Sequence, residues 1–211
     1  MSLESIYDAV LNGDAKKSAA DTDAALKAGI KAEDILHKSC IPAMAEVGRL
    51  FEEGEKFVPE MLISARAMQA AMALLRPELV KADVKTLGTV IVGTVQGDLH
   101  DIGKNLVKMM MEGAGFEVID LGVDVSAKKY VDTAREKNAQ IIGLSALLTT
   151  TMPGMKTTIE TLKEAGLHGK IKVMIGGAPI TQDFANEIGA DGFAPDASSA
   201  VRKAKELVGA S

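Results

Sequence analysis

The chain has 211 residues, with 24 Lys and Arg against 29 Asp and Glu for a formal charge of −5, and it is 47% hydrophobic and 25% charged. That balance excludes the basic surface of a general nucleic-acid binder, and 3% aromatics with no Trp leaves no stacking platform for single strands. The one cysteine, Cys40, excludes a disulfide framework and a thiolate zinc cluster and fits a reducing, cytoplasmic compartment, while no apolar run nears the roughly 18 residues of a membrane span and the N-terminus lacks a charged-then-apolar leader.

Taken in chain order, Leu3 to Leu11 and Ala15 to Lys27, the latter behind an Asp14 cap, read as short helices. Leu36, Cys40, Ala43, Val47 and Leu50 step by 4, 3, 4 and 3, one face of a third helix that Pro42 is expected to kink. Met61, Ala65, Met68, Met72 and Leu75 repeat those steps on a fourth. Four helices in one Gly-poor half predict a small antiparallel bundle over residues 1–82, with Met61, Met68 and Met72 as its core. A charged, exposed linker is expected within Pro77 to Leu87, with residues 83–87 as its connecting piece. Over 88–211 short apolar runs alternate with amphipathic stretches. The runs are Thr89–Val95, Glu117–Leu121, Ile141–Leu144, Lys172–Ile175 and Gly192–Ala194; the stretches are Ile102–Glu112, Ser126–Lys137, Met155–Ala165, Thr181–Ile188 and Asp196–Val208. Five such units predict an α/β fold, a flavodoxin-like, Rossmann-like parallel sheet in the order 2-1-3-4-5 with helices on both faces. A ligand site is then expected at the carboxyl ends of the strands, in the loops after strands one, three and four.

The loop after the first strand reads Gly97, Asp98, Leu99, His100, Asp101, Ile102, Gly103, Lys104, Asn105. A Walker A loop needs four residues between its glycines and Ser or Thr after the Lys; five intervene here, and Asn105 follows. The other histidines, His37 beside the third helix's apolar stripe and His168 in the turn Gly166–Gly169, do not obviously converge on His100. An all-protein zinc site wants three or four ligands, which the sequence does not supply. A metal at His100 would therefore take most of its coordination from elsewhere, as when a macrocycle supplies four nitrogens and leaves an axial position. A carboxylate two residues away can accept the N–H of one ring nitrogen and fix the tautomer that presents the other, which makes Asp98 the partner. The same spacing serves equally to bond a turn and cap the next helix, and spacing alone does not separate the two.

Gly97 to Gly103 resembles the D-x-H-x-x-G signature of cobalamin-binding domains, Ser145-Ala146-Leu147 their S-x-L element, and Gly176-Gly177 their downstream glycine pair. The stretch Val47 to Pro59, continuing to Ser64-Ala65-Arg66-Ala67-Met68, is similar to the helical cap of methionine-synthase-type cobalamin modules and of stand-alone corrinoid proteins of methanogens and acetogens. The resemblance covers nearly the whole chain and includes no substrate methyltransferase barrel. It implies that His100 is the lower axial cobalt ligand, that Asp98 hydrogen-bonds it, and that Thr151 completes a relay. It further implies corrinoid contacts from Gly97, Leu99, Asp101, Ile102 and Gly103, and contacts of Ser145, Leu147 and Thr149 with an inserted nucleotide tail that passes close to Gly176 and Gly177. Phe51 and Val58 match positions that cover the methyl-bearing face of the cofactor. Asp196 matches a recurring element near the tail's end and reads equally as a helix N-cap.

The resemblance implies a methyl carrier with cobalamin or a related corrinoid as cofactor, a carrier subunit rather than a complete enzyme alone. Cobalt(I) would take a methyl group from a substrate:corrinoid methyltransferase. Methyl-cobalt(III) would deliver it to a corrinoid:acceptor methyltransferase, with tetrahydrofolate or a thiol such as coenzyme M as acceptor. A reductive activase is the third expected partner; nucleic acid and membrane are not expected. Methanol, methylamines, betaines and methoxyaromatics are all served by similar carriers. The alternatives are a cobalamin-binding mutase subunit, which would need a substrate barrel, a cobalamin-dependent sensor, which would need a DNA-reading domain, and a plain flavodoxin-like binding or signalling module, which would stay colourless after incubation with a corrinoid.

Overall fold

Apolar residues spaced three and four apart must be buried together, and in the first half of the chain they are. The computed structural model describes residues 2–82, 84 and 86–210. The chain divides into two compact units, Met1–Lys85 with Gly113–Gly115, and Thr86–Glu112 with Phe116–Ser211. In the helical unit, α1 (Leu3–Leu11) is capped by Ser2 and α2 (Ala15–Lys27) by Asp14, whose side chain accepts the Lys17 N–H at 2.9 Å. The third expected helix is three continuous pieces: α3 (Ala32–Ile35), a π-helical turn Leu36–Cys40, and α4 (Ile41–Glu52) with Pro42 in its first turn. Proline has no N–H and its ring crowds the carbonyl one turn back; the wider π turn before it accommodates that without ending the helix. The expected kink at Pro42 thus takes the form of a π turn.

Helix α5 (Val58–Lys81) buries Met61, Ala65, Met68 and Leu75, while Met72 is only half-buried. It runs through Pro77 to Lys81, so the stretch read as linker from Pro77 is helical for its first turn. Of the connecting piece 83–87, Asp83 and Lys85 lie outside the described residues. Serines tie the bundle across helices: Ser18 donates to Ala67 O at 2.8 Å, Ser39 to Leu3 O at 2.8 Å and Ser64 to Leu11 O at 3.0 Å. Burial pushes the Cys40 thiol up to about 12, so it is packing rather than chemistry.

The sheet unit alternates β1 (Thr89–Thr94), α6 (Ile102–Gly113), β2 (Glu117–Asp120), α7 (Ala127–Glu136), β3 (Ile141–Ser145), α8 (Pro153–Glu164), β4 (Lys172–Gly176), α9 (Gln182–Ile188), β5 (Gly192–Ala194) and α10 (Ala197–Val208). All pairings are parallel and the order is β2-β1-β3-β4-β5, as the sequence predicts. β1 is buried along its whole length because it has a strand on each side and helices over it; edge strand β2 is only half-buried. Tyr130, Ile142, Ile159, Val173 and Ala185, from α7, β3, α8, β4 and α9, share one apolar core. Asp196 caps α10, accepting the Ser199 N–H at 2.7 Å.

Candidate functional site

The chain reverses direction across the sheet between β1 and β3, and the loops leaving their carboxyl ends diverge there. Gly97–Gly103 follows β1, Ser145–Thr151 ends and follows β3, and Gly176–Gly177 ends and follows β4. The fold therefore brings all three sequence motifs to one edge. Leu99, Ile102 and Leu147 are exposed there at 68%, 84% and 43%.

Asp98 is fully buried. Its Oδ1 accepts the His100 backbone N–H at 3.0 Å and faces His100 Nδ1 at 2.9 Å, while its Oδ2 accepts the Thr151 hydroxyl at 2.7 Å and the Leu147 N–H at 2.8 Å. Burial alone would raise this carboxyl, but the bonds from His100, Thr151 and Leu147 outweigh it and hold Asp98 well below the usual carboxylate range. An ionised carboxylate is acceptor-only, so the proton of a neutral His100 sits on Nδ1 and Nε2 keeps the lone pair. The His100 side chain is 49% exposed, which leaves that lone pair open to a ligand. Asp98 closes the turn through the His100 N–H and meets the ring at Nδ1, but it does not cap α6, where Asp101 bonds Asn105 instead.

The glycine pair has a reason within the sheet. Gly177 has φ +131°, and a Cβ there would lie 1.9 Å from the Ala146 carbonyl oxygen; a Cβ on Gly176 would sit 3.0 Å from Ala194 O. Gly103 is different. It lies in the first turn of α6, outside the left-handed region, and a Cβ there would meet nothing within 4 Å. Asp101 closes that turn, accepting the Asn105 backbone N–H at 2.8 Å and its side-chain N–H at 2.9 Å. Ser145 O accepts the Val95 N–H at 3.0 Å, and Thr149 is exposed outside the Asp98 cluster. Phe51, half-buried at the end of α4, and Val58, 39% exposed at the start of α5, belong to the helical unit.

Residues 88–203 match a family described as a B12 binding domain, and residues 2–76 match a second family of the same description. Dimethylamine corrinoid protein 3 of Methanosarcina acetivorans is 45% identical over 206 residues, 98% of this chain and 96% of the relative. The chain belongs to the B12-binding corrinoid proteins. A further corrinoid protein, trimethylamine corrinoid protein 1 of the same organism, is 43% identical over 203 residues, 95% of this chain and 94% of that one. The methanol:cobalamin methyltransferase complex of Methanosarcina barkeri superposes with a TM-score of 0.87 at 29% identity, covering 99% of this chain and 80% of that one.

The cofactor of this corrinoid protein is a corrinoid. The residues fit it. Among the described residues no three His, Cys, Asp or Glu side chains gather as a metal-ligand set, so a metal at His100 needs a ligand that brings its own coordination. Gly103, three residues after His100, is exposed and has no protein atom within 4 Å of where a Cβ would stand, which leaves room for a bulky group.

Sequence reasoning passed over three groups that shape the site. Lys104, the residue read only against a Walker loop, is buried and pairs with Asp120 at 2.6 Å. Thr94 and Asp124 bond the His100 loop from below and from the side. Two lysines one turn apart on α6, Lys104 and Lys108, both of which reach Asp120, were the available signal; the partners of Thr94 and Asp124 follow only from the topology.

Proposed function

We propose that this corrinoid protein is a methyl carrier of a methylamine methyltransferase system, with His100 as the lower axial ligand. The observation that carries the reading is the buried Asp98 carboxylate, which holds the His100 ring by Nδ1 at 2.9 Å on a chain that matches corrinoid proteins over 98% of its length. When bound, the corrinoid supplies a cobalt centre that accepts a methyl group and gives it up again. The chain's own residues orient and shelter it. Asp98 fixes the tautomer that presents Nε2. Thr151 holds the second carboxylate oxygen at 2.7 Å, so the acceptor that orients the ring is itself fixed.

Leu99 and Ile102 give the cofactor an apolar approach and Gly103 an open one, beside Gly97 and Asp101. Ser145, Leu147, Thr149, Gly176 and Gly177 line the way for its nucleotide tail. Phe51 and Val58 are the apolar residues through which a helical domain, 1–82, would take part in cofactor binding; it is joined through 83–87 to a corrinoid-binding domain, 88–211. The partners are a methylamine:corrinoid methyltransferase, a second methyltransferase with tetrahydrofolate or a thiol such as coenzyme M as acceptor, and a reductive activase, all in the cytoplasm.

The test is to load the purified protein with a corrinoid, reduce it, and add methylated amines with the matching methyltransferase. The corrinoid absorption should shift to that of the methylated cofactor and revert when a second methyltransferase and its acceptor are added. Failure to bind corrinoid, or loading with no change in the spectrum with any methylamine methyltransferase, would overturn the reading.

A further inference from the structure

The residues that orient His100 are themselves held by a second loop. Thr94, fully buried at the end of β1, donates its hydroxyl to Asp98 O and accepts the Asp124 N–H at 3.0 Å. The Asp124 N–H also reaches Asp98 O at 3.0 Å, and the Asp124 carboxylate accepts the Gly97 N–H at 2.7 Å. Asp124 belongs to the turn between β2 and α7 and has φ +53°, a left-handed conformation that Asp, Asn and Gly tolerate best. Gly97 is left-handed as well, with φ +84°. The peptide before Gly97 and the peptide after Asp98 are thus fixed from outside the loop, while the Asp98 N–H closes on Val95 O at 3.0 Å within it. The far end of the same turn is also tied down: Asp120 accepts from buried Lys104 of α6 at 2.6 Å and from the Gly122 N–H at 2.9 Å, and Gly122 O accepts the Thr94 N–H at 3.1 Å.

We infer that Thr94 and Asp124 form a latch from the β2–α7 turn that sets the position of Asp98 and, through it, of the His100 ring; both are positioning residues that do not touch the cofactor. This rests on the reading of His100 as an axial ligand. The logic is geometric. Metal ligation tolerates displacements of a few tenths of an ångström, and the loop from Gly97 to Asp101 has no regular secondary structure to hold it. Removing a group that orients a ligand's partner is expected to weaken metal binding by roughly 10-fold, the low end of what outer groups of this kind cost.

The test uses corrinoid-loaded protein reduced to cobalt(II), whose electron-spin resonance is split into triplets by one axial nitrogen. Thr94→Val keeps shape and burial but removes both hydroxyl bonds, and Asp124→Gly keeps the left-handed backbone but removes the carboxylate. Both should lower the nitrogen-split fraction from nearly all to under half and raise the corrinoid Kd by roughly 10-fold. Thr94→Ser and Asp124→Asn, which keep the acceptors and donors, should restore the wild-type spectrum. Gly97 amide exchange in the wild-type apoprotein gives a readout free of any folding defect, and slow exchange is expected. A full nitrogen-split signal in both deletion variants, or an unprotected Gly97 amide, overturns the latch. If wild type and His100→Ala give the same spectrum, the ligand assignment itself fails and the latch with it, so the two failures are distinguishable.

Discussion

At the scale of single residues, Asp98 shows why a buried charge can be the most ordered part of a site. Its carboxylate has no exposure, and four N–H and O–H donors converge on it within 3.0 Å. Bonds to a charged acceptor of this kind contribute about 1.5–3 kcal/mol, so Asp98→Asn should destabilise the apoprotein by about 2–3 kcal/mol at pH 7. The pH dependence has a definite sign. Because the folded-state pKa is lowered, the stability Asp98 contributes is fully present above the ordinary value of about 3.9 and drains away as pH falls below it. The gap in unfolding free energy between wild type and Asp98→Asn should therefore stay flat from pH 7 to about 5 and narrow below about 4, as read by denaturant melts at each pH. A gap that widened in acid would contradict the ionised, donor-saturated carboxylate. Asp98 and His100 were legible from two positions in the sequence. Asp124 was not, because its role depends on a left-handed turn and on strands that pair thirty residues apart.

At the scale of elements, the first turn of α6 separates what the fold needs from what the site needs. Gly103 sits there with open space around its Cα and no backbone conformation that demands glycine. Glycine in a helix costs about 0.5–1 kcal/mol relative to alanine, so the residue weakens its own helix without a packing return. Gly103→Ala should raise the apoprotein's stability by up to about 1 kcal/mol while weakening corrinoid binding, a pair of opposite effects read by thermal melts and by titration with cofactor. Equal affinity in the variant would remove Gly103 from the cofactor's surroundings. Strands and helices were readable because β1, β3 and β4 are uninterrupted apolar runs and the amphipathic stretches keep a helical period. The two departures lie at prolines: a kink is expected at Pro42 and a linker from Pro77. Pro42 follows a π turn and Pro77 lies inside α5, since each helix is kept by the packing of its apolar face, on which local propensity is a weak vote.

For the whole molecule, the site proposed around His100 lies among loops of the sheet unit, and its ligand should stabilise the state in which those loops are ordered. A ligand that binds only the folded form adds RT ln(1 + [L]/Kd), about 2.7 kcal/mol at a hundredfold excess over Kd. For a cooperative unit of roughly 120 residues, that converts to a rise in Tm of about 10 °C. Corrinoid at that excess should produce such a shift in wild type, monitored by far-ultraviolet circular dichroism, since the sheet and its five helices dominate the signal of that unit. Gly177→Val should behave differently for a reason set by the backbone: a side chain at φ +131° would drive into Ala146 O, tilt the end of β4 away from β3 and open the edge where the three motifs meet. Its apoprotein should melt lower than wild type, and added corrinoid should recover little of the loss. If the variant melted lower but gained the full 10 °C, the β4 edge would support the fold without contributing to the cofactor's site.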